Sequence, residues 1–149
     1  MRVLIDADGC PVVRLAVDCA NRRGVAVTLV CDSAHLFNLP GAETVTVTKG
    51  ADSADFRIVN LVQPGDIVIT QDYGLAAMAL ARRARVLSQN GMLYTDGNID
   101  SLLLARHTSR KLRNAGVRMK GPAKRTKEQD EAFLAAFERL LDEASHGSF

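Results

Sequence analysis

Val3-Leu4-Ile5 is a continuous apolar run that stops at two carboxylates, Asp6 and Asp8, in a turn closed by Gly9 and Pro11. A short run of branched apolar residues without alternation reads as a strand buried on both faces. Such a strand needs helices above and below it, and this restricts the chain to a layered α/β fold. Pro11 opens a helical pattern, since proline suits a first helical position. The first unit is therefore strand, acidic turn, helix. Open α/β sheets bind ligands outside the carboxyl ends of their strands, where Asp6 and Asp8 fall. Asp8 suits the N-cap of the following helix equally well, and both readings stand. For Asp6 a functional role is favoured, because a carboxylate ending a buried strand is costly unless donors or a cation satisfy it.

The same unit recurs along the chain. Residues 11–23 place Val12, Leu15, Ala16, Cys19 and Ala20 at helical spacing, with Gly24 just beyond. Residues 25–31 form a β-branched strand, residues 32–41 a loop or short helix, and residues 44–48 alternate strictly, as an edge strand does. A helix carrying Phe56, Val59 and Val62 runs to Pro64-Gly65, and residues 66–70 form another buried strand. Residues 75–83 make an Ala-rich helix and residues 84–88 a fifth strand. After the Asn90-Gly91 turn signal, residues 92–94 offer a sixth. A helix starts at Asn98 or Asp100 and runs to about residue 115. Residues 116–127 read as a flexible basic loop, and Thr126 with Gln129 forms a capping box. The last helix, 127–144, puts Phe133, Phe137, Leu140, Leu141 and Ala144 on one face and is expected to dock on the body. The expected architecture is a three-layer α/β/α domain over residues 1–149, with a mainly parallel sheet of about five strands in the doubly wound order 3-2-1-4-5 and a C-terminal helix.

Composition narrows the functional classes. At 149 residues, 47% hydrophobic and 24% charged, the chain matches one globular domain with a substantial core. No apolar run approaches the ~18 residues needed to span a bilayer, and Asp6 and Asp8 interrupt any secretory signal, so a cytoplasmic protein is expected. Cys10, Cys19 and Cys31 lack metal-ligand spacing and read as reduced thiols, Cys10 as a packing residue. The net charge of +2 conceals an asymmetry. Residues 1–105 carry 9 Lys/Arg and 11 Asp/Glu, whereas residues 106–127 carry 9 Lys/Arg and no acid. A basic block of this kind suits a polyanion through counterion release, or is a solvated charged face.

In the expected topology, acids from three strand ends converge: Asp6 and Asp8, then Asp52 and Asp55, then Asp72. Unit charges ~4 Å apart repel by about 4 kcal/mol at an effective dielectric of ~20. A divalent cation reverses that sign, and oxygen-only donors select Mg²⁺ or Mn²⁺, which can activate water and hold a phosphodiester. Each acid also has a local reading as a helix cap or dipole partner, though capping alone does not explain why all share one edge. Asp66 precedes its strand and belongs at the opposite edge. Lys49 is a candidate phosphate partner or a plain surface lysine.

Four motifs in order, Met1-Arg-Val-Leu-Ile-Asp-Ala-Asp-Gly-Cys-Pro-Val12, Lys49-Gly-Ala-Asp-Ser-Ala-Asp55, Asp66-Ile-Val-Ile-Thr-Gln-Asp72 and Gly121-Pro-Ala-Lys-Arg-Thr-Lys127, resemble the YaiI/YqxD family of uncharacterised bacterial proteins over nearly the whole chain. That family is similar in turn to PIN-like nucleases, and the resemblance implies an α/β/α fold with an acidic Mg²⁺/Mn²⁺ site. Thr70-Gln71-Asp72 resembles the PIN Thr-Asn-Asp signature, and Asp6 matches the first PIN acid. The second PIN acid is usually a helical Glu, a place that Asp52 or Asp55 takes here. Asp8 has no firm PIN counterpart.

Three functions follow as expectations. The first is a metal-dependent nuclease acting on RNA, with Asp6, Asp8 and Asp72 catalytic, Asp6, Asp52, Asp55 and Asp72 as metal ligands, and Lys49, Lys124, Arg125 and Lys127 on phosphates. The second is a non-catalytic nucleic-acid-binding module built on the basic block. The third is a phosphatase of the haloacid dehalogenase type, because Asp6-Ala-Asp8-Gly9 resembles its nucleophile motif, with Asp6 forming an aspartyl-phosphate. The missing Thr after Gly9 counts against that third reading.

Overall fold

The computed structural model describes residues 1–32, 39–48, 53–116 and 124–145. Along them run β1 (Arg2–Asp6), α1 (Val13–Arg22), β2 (Ala26–Asp32), β3 (Ala42–Val47), α2 (Ala54–Leu61), β4 (Ile67–Ile69), α3 (Tyr73–Ala81), β5 (Arg85–Leu87), β6 (Leu93–Tyr94), α4 (Asp96–Asn114) and α5 (Lys127–Ser145). The strands form one six-stranded sheet in the order β3-β2-β1-β4-β5-β6. All pairings are parallel except β5–β6, which is antiparallel.

The unbroken apolar runs account for the layering. Val3, Leu4, Ile5, Ile67, Val68 and Ile69 are all fully buried. Side chains alternate across a strand, so Val3, Ile5, Ile67 and Ile69 meet α1 and α5 on one face, while Leu4 and Val68 meet α2, α3 and α4 on the other. The expected three layers and strand order are present, and the turn after Asn90-Gly91 does lead into a sixth strand. The alternating run expected over residues 44–48 falls in β3 up to Val47, an edge strand in which only Val47 is buried.

Several boundaries shift for local reasons. Pro11 lies in a turn rather than in the helix. Cys10 N–H donates to the Ala7 carbonyl at 3.1 Å, Gly9 takes φ +70°, and α1 starts only at Val13. Helix α3 begins at Tyr73, not Leu75, because Asp72 caps it. Helix α4 begins at Asp96, ahead of the expected Asn98: Thr95 is the N-cap and Asn98 closes a capping box with it. In α2, Phe56 is 55% exposed, and Ile58 is the residue that reaches the core. The Thr126–Gln129 capping box forms as expected, with bonds of 2.9 and 3.3 Å. The expected basic loop falls mostly on residues 117–123, outside the described residues. No helix among the described residues is long and apolar enough to cross a membrane.

Candidate functional site

Strands β1 and β4 are parallel neighbours with Ile5 opposite Ile69. The next residue on each, Asp6 and Thr70, therefore emerge side by side at the carboxyl edge. The strand order reverses its direction of growth between β1 and β4, which makes this edge the topological switch point. The Thr70 hydroxyl donates to Asp6 Oδ2 at 2.9 Å and accepts the Asp72 N–H at 3.0 Å. Its carbonyl accepts the Tyr94 hydroxyl at 3.2 Å. Thr70 thus joins Asp6, Asp72 and Tyr94 in one network.

The other acids arrive by separate routes. Asp72 Oδ1 accepts the Leu75 N–H at 3.1 Å, so this residue caps α3, and its charge also acts on Asp6. Asp8 is not the cap of α1. Its Oδ2 accepts the Asp32 N–H at 2.9 Å, which ties the turn after β1 to the end of β2. Asp55 sits in the first turn of α2 and accepts from the Ser53 hydroxyl. Asp66 is at the opposite edge, as expected, where it accepts the Arg2 and Gln63 N–H groups at 3.0 and 2.8 Å.

Asp6 carries the electrostatic signature of convergence. Its carboxyl is raised to about 6: burial is the largest cause, the Thr70 donor works against it, and the charges of Asp72, Asp8 and Asp55 add to the rise. All three acids are therefore near enough to act on Asp6. A cleft of about 40 Å³ opens beside it, lined by Asp6, Asp8, Gly9, Cys10, Thr70 and Gln71 among others. That volume suits a water or a single ion. Burial raises the Cys10 thiol above its ordinary range, which makes it a packing group rather than a thiolate.

These are hard oxygen donors, the kind that suits Mg²⁺ or Mn²⁺, and the crowding on Asp6 is what a cation relieves. The donor chemistry fits such an ion. The described carboxylates do not by themselves close a cage: among the described residues no three His, Cys, Asp or Glu side chains are grouped tightly enough to hold a metal. Asp52, one of the expected ligands, and Lys49, an expected phosphate partner, both lie outside the described residues.

The basic candidates divide. Lys124 and Lys127 are exposed near the start of α5. Arg125 instead donates to Asp130 Oδ1, Asn90 Oδ1 and the Gln89 carbonyl, each at 2.7 Å. Three of its five N–H groups are spent holding the turn after β5 against α5, and Gln89 is itself part of the cleft wall. Sequence reasoning passed over a second concavity. Gln71 is shared between the acidic cleft and a larger pocket of about 400 Å³ lined by Tyr73, Ala105, Arg106 and Ser109. The signal was present in Tyr73, which directly follows Asp72, but nothing in the sequence brings α4 over it.

An open, mostly parallel sheet between helical layers, with Asp6 and Thr70 side by side at its switch point, defines a doubly wound α/β protein. Within that class the chain belongs to the YaiI/YqxD family: the model described as "Uncharacterized BCR, YaiI/YqxD family" matches residues 4–143. It is 54% identical over 143 residues to a UPF0178 protein of Exiguobacterium sibiricum, covering 96% of this chain and 98% of the relative. It is 46% identical to a UPF0178 protein of Clostridium acetobutylicum, covering 95% and 97%. Among solved structures it is similar to Rae1 (YacP) from Bacillus subtilis, at a TM-score of 0.43 and 16% identity over 99% of each chain. A likeness at that level leaves function to the site itself.

Proposed function

We propose that the protein is a divalent-metal-dependent nuclease that hydrolyses phosphodiester bonds in RNA. The observation that carries the reading is Asp6: it ends β1 at the switch point, Thr70 links it to Asp72, and burial with the charges of Asp72, Asp8 and Asp55 raises its carboxyl to about 6. Perturbed carboxylates in a cleft mark functional sites more often than structural ones. Asp6, Asp55 and Asp72, with Asp52, would hold Mg²⁺ or Mn²⁺, which would supply Lewis acidity toward the phosphate and the attacking water. The chain's own groups do the rest. Thr70 fixes the Asp6 carboxylate through Oδ2. Asp8, on the same cleft wall, accepts a proton from the attacking water. The water oxygen bonds to phosphorus, the P–O bond to the leaving nucleotide breaks, and that oxygen takes a proton from solvent while Asp8 returns its own to solvent. Exposed Lys124 and Lys127, with Lys49, neutralise the strand.

The test is cleavage of an end-labelled single-stranded RNA pool by the full chain in Mn²⁺, Mg²⁺ or EDTA, beside Asp6→Asn and Asp72→Asn. Cleavage is expected only with metal, and each variant is expected to lose at least about 100-fold, the lower range for removal of an acid–base group. Salt-dependent RNA binding without turnover would overturn the nuclease and leave a binding module. Release of inorganic phosphate from monoesters through phosphorylated Asp6 would instead make the protein a phosphatase.

A further inference from the structure

The larger concavity next to the acids has a chemistry of its own. Tyr73 forms its floor. On the inner side, the Tyr94 ring supports Tyr73 at 5.9 Å between centroids in an edge-on contact. On the outer side, the Arg106 guanidinium lies 5.9 Å from the Tyr73 centroid. A partly buried aromatic ring, backed by the core and with an exposed arginine over it, is a stacking platform with a movable cover. Ser109 and Gln71 add hydrogen-bonding groups on the rim. The volume, about 400 Å³, lies in the range of small-ligand sites.

The surroundings select the ligand. Arg106, Arg110 and Arg113 stand at i, i+4 and i+7 of α4 and so share one face, over about 10 Å of helix. This positive stripe runs away from the pocket. On the other side, Gln71 borders both the pocket and the acidic cleft. Tyr94 ties the platform to the cleft as well, through its hydroxyl on the Thr70 carbonyl. An aromatic floor, a cationic exit and an acidic neighbour together suit one unit of a single-stranded polynucleotide.

We infer that Tyr73 and Arg106 form a nucleobase-stacking subsite for one unpaired nucleotide, next to the Asp6–Asp72 cluster. The base lies on the Tyr73 ring, Arg106 moves to cover it or to meet its phosphate, and the chain continues along α4. The inference rests on the nuclease reading only for the RNA identity of the strand; base binding itself requires neither metal nor turnover.

The chain has two tyrosines and no tryptophan, so ring-labelled tyrosine gives one NMR reporter in the pocket and one in the core. The full chain in EDTA is titrated with uridine and adenosine monophosphates, and separately with ribose 5-phosphate. The Tyr73 ring signals are expected to move saturably with both nucleotides and to stay still with ribose 5-phosphate. Ala105→Leu, which fills the pocket from an exposed helical position, is expected to weaken nucleotide binding at least about tenfold, within the five- to 150-fold range of a lost base stack. Arg106→Ala is expected to weaken it about fivefold. Far-UV circular dichroism and an unchanged urea-unfolding midpoint show that each variant is folded. The inference is overturned if Tyr73 does not respond at nucleotide concentrations on the order of tens of millimolar. An equal response to ribose 5-phosphate would also overturn it, leaving a phosphate site only, as would unaltered affinity in Ala105→Leu. Because nothing is cleaved in EDTA, loss of the nuclease reading leaves this outcome standing, and the converse holds too.

Discussion

Asp6 holds a charge that the fold disfavours. Its folded value of about 6 lies above the ordinary 3.8, mainly through burial and then through neighbouring acids. Below pH 3.8 both folded and unfolded chains hold the proton, and no penalty exists. Between 3.8 and 6 the unfolded chain binds fewer protons, so stability falls as pH rises, and the full penalty is present above pH 6. Asp6→Asn keeps an acceptor for Thr70 and removes the charge. In EDTA it is expected to stabilise the protein at pH 7–8 by about 3 kcal/mol, with the gain vanishing near pH 4, as measured by urea unfolding across pH. A wild-type chain no less stable than the variant at pH 8 would show that Asp6 is satisfied by donors. A residue that costs stability where it stands belongs to function more readily than to folding. The sequence placed Asp6 correctly because a strand end is a local feature. It left open whether Asp8 caps a helix, since that depends on Asp32 of a neighbouring strand.

Elements were legible wherever one periodicity dominated. β1 and β4 came from continuous apolar runs, and α5 from its one-sided row of Phe133, Phe137, Leu140 and Leu141, all buried as that row requires. The starts of α1, α3 and α4 were less legible, because caps depend on single side-chain bonds that periodicity does not encode. Helix α5 is also pinned by backbone. Gly91 takes φ +87°, and a Cβ there would stand 2.5 Å from the Ala132 carbonyl oxygen. Gly91→Ala is therefore expected to cost more than about 1 kcal/mol, combining left-handed strain with a clash against backbone that cannot yield. Urea denaturation read by circular dichroism checks it, and a neutral result would mean that α5 sits less firmly on the turn before β6 than its contacts indicate.

Over the whole molecule, two surfaces of opposite charge stand out: Asp6 ends β1, and Asp8 and Asp72 follow β1 and β4, at the carboxyl edge of the sheet, while α4 presents Arg106, Arg110 and Arg113 on one face. If that face carries a single strand, log-affinity for single-stranded RNA falls linearly with log salt, at about −0.7 per phosphate neutralised. Replacing all three arginines by alanine is expected to reduce the slope by about 2, measured by anisotropy of a labelled oligonucleotide in EDTA between low and moderate salt. An unchanged slope would move the contact surface to the cations near α5. Taken alone, the sequence determined the class of fold, the order of its elements and the strand ends that carry acids, because hydrophobic period and strand termination are local properties of the chain. Tertiary structure alone decided which acids meet. Thr70 links Asp6 to Asp72 only because β1 and β4 pair in one register, and Tyr73 gains a pocket only because α4 passes over it. Such contacts join residues far apart in sequence, and their geometry is set by packing between layers rather than by any pattern along the chain.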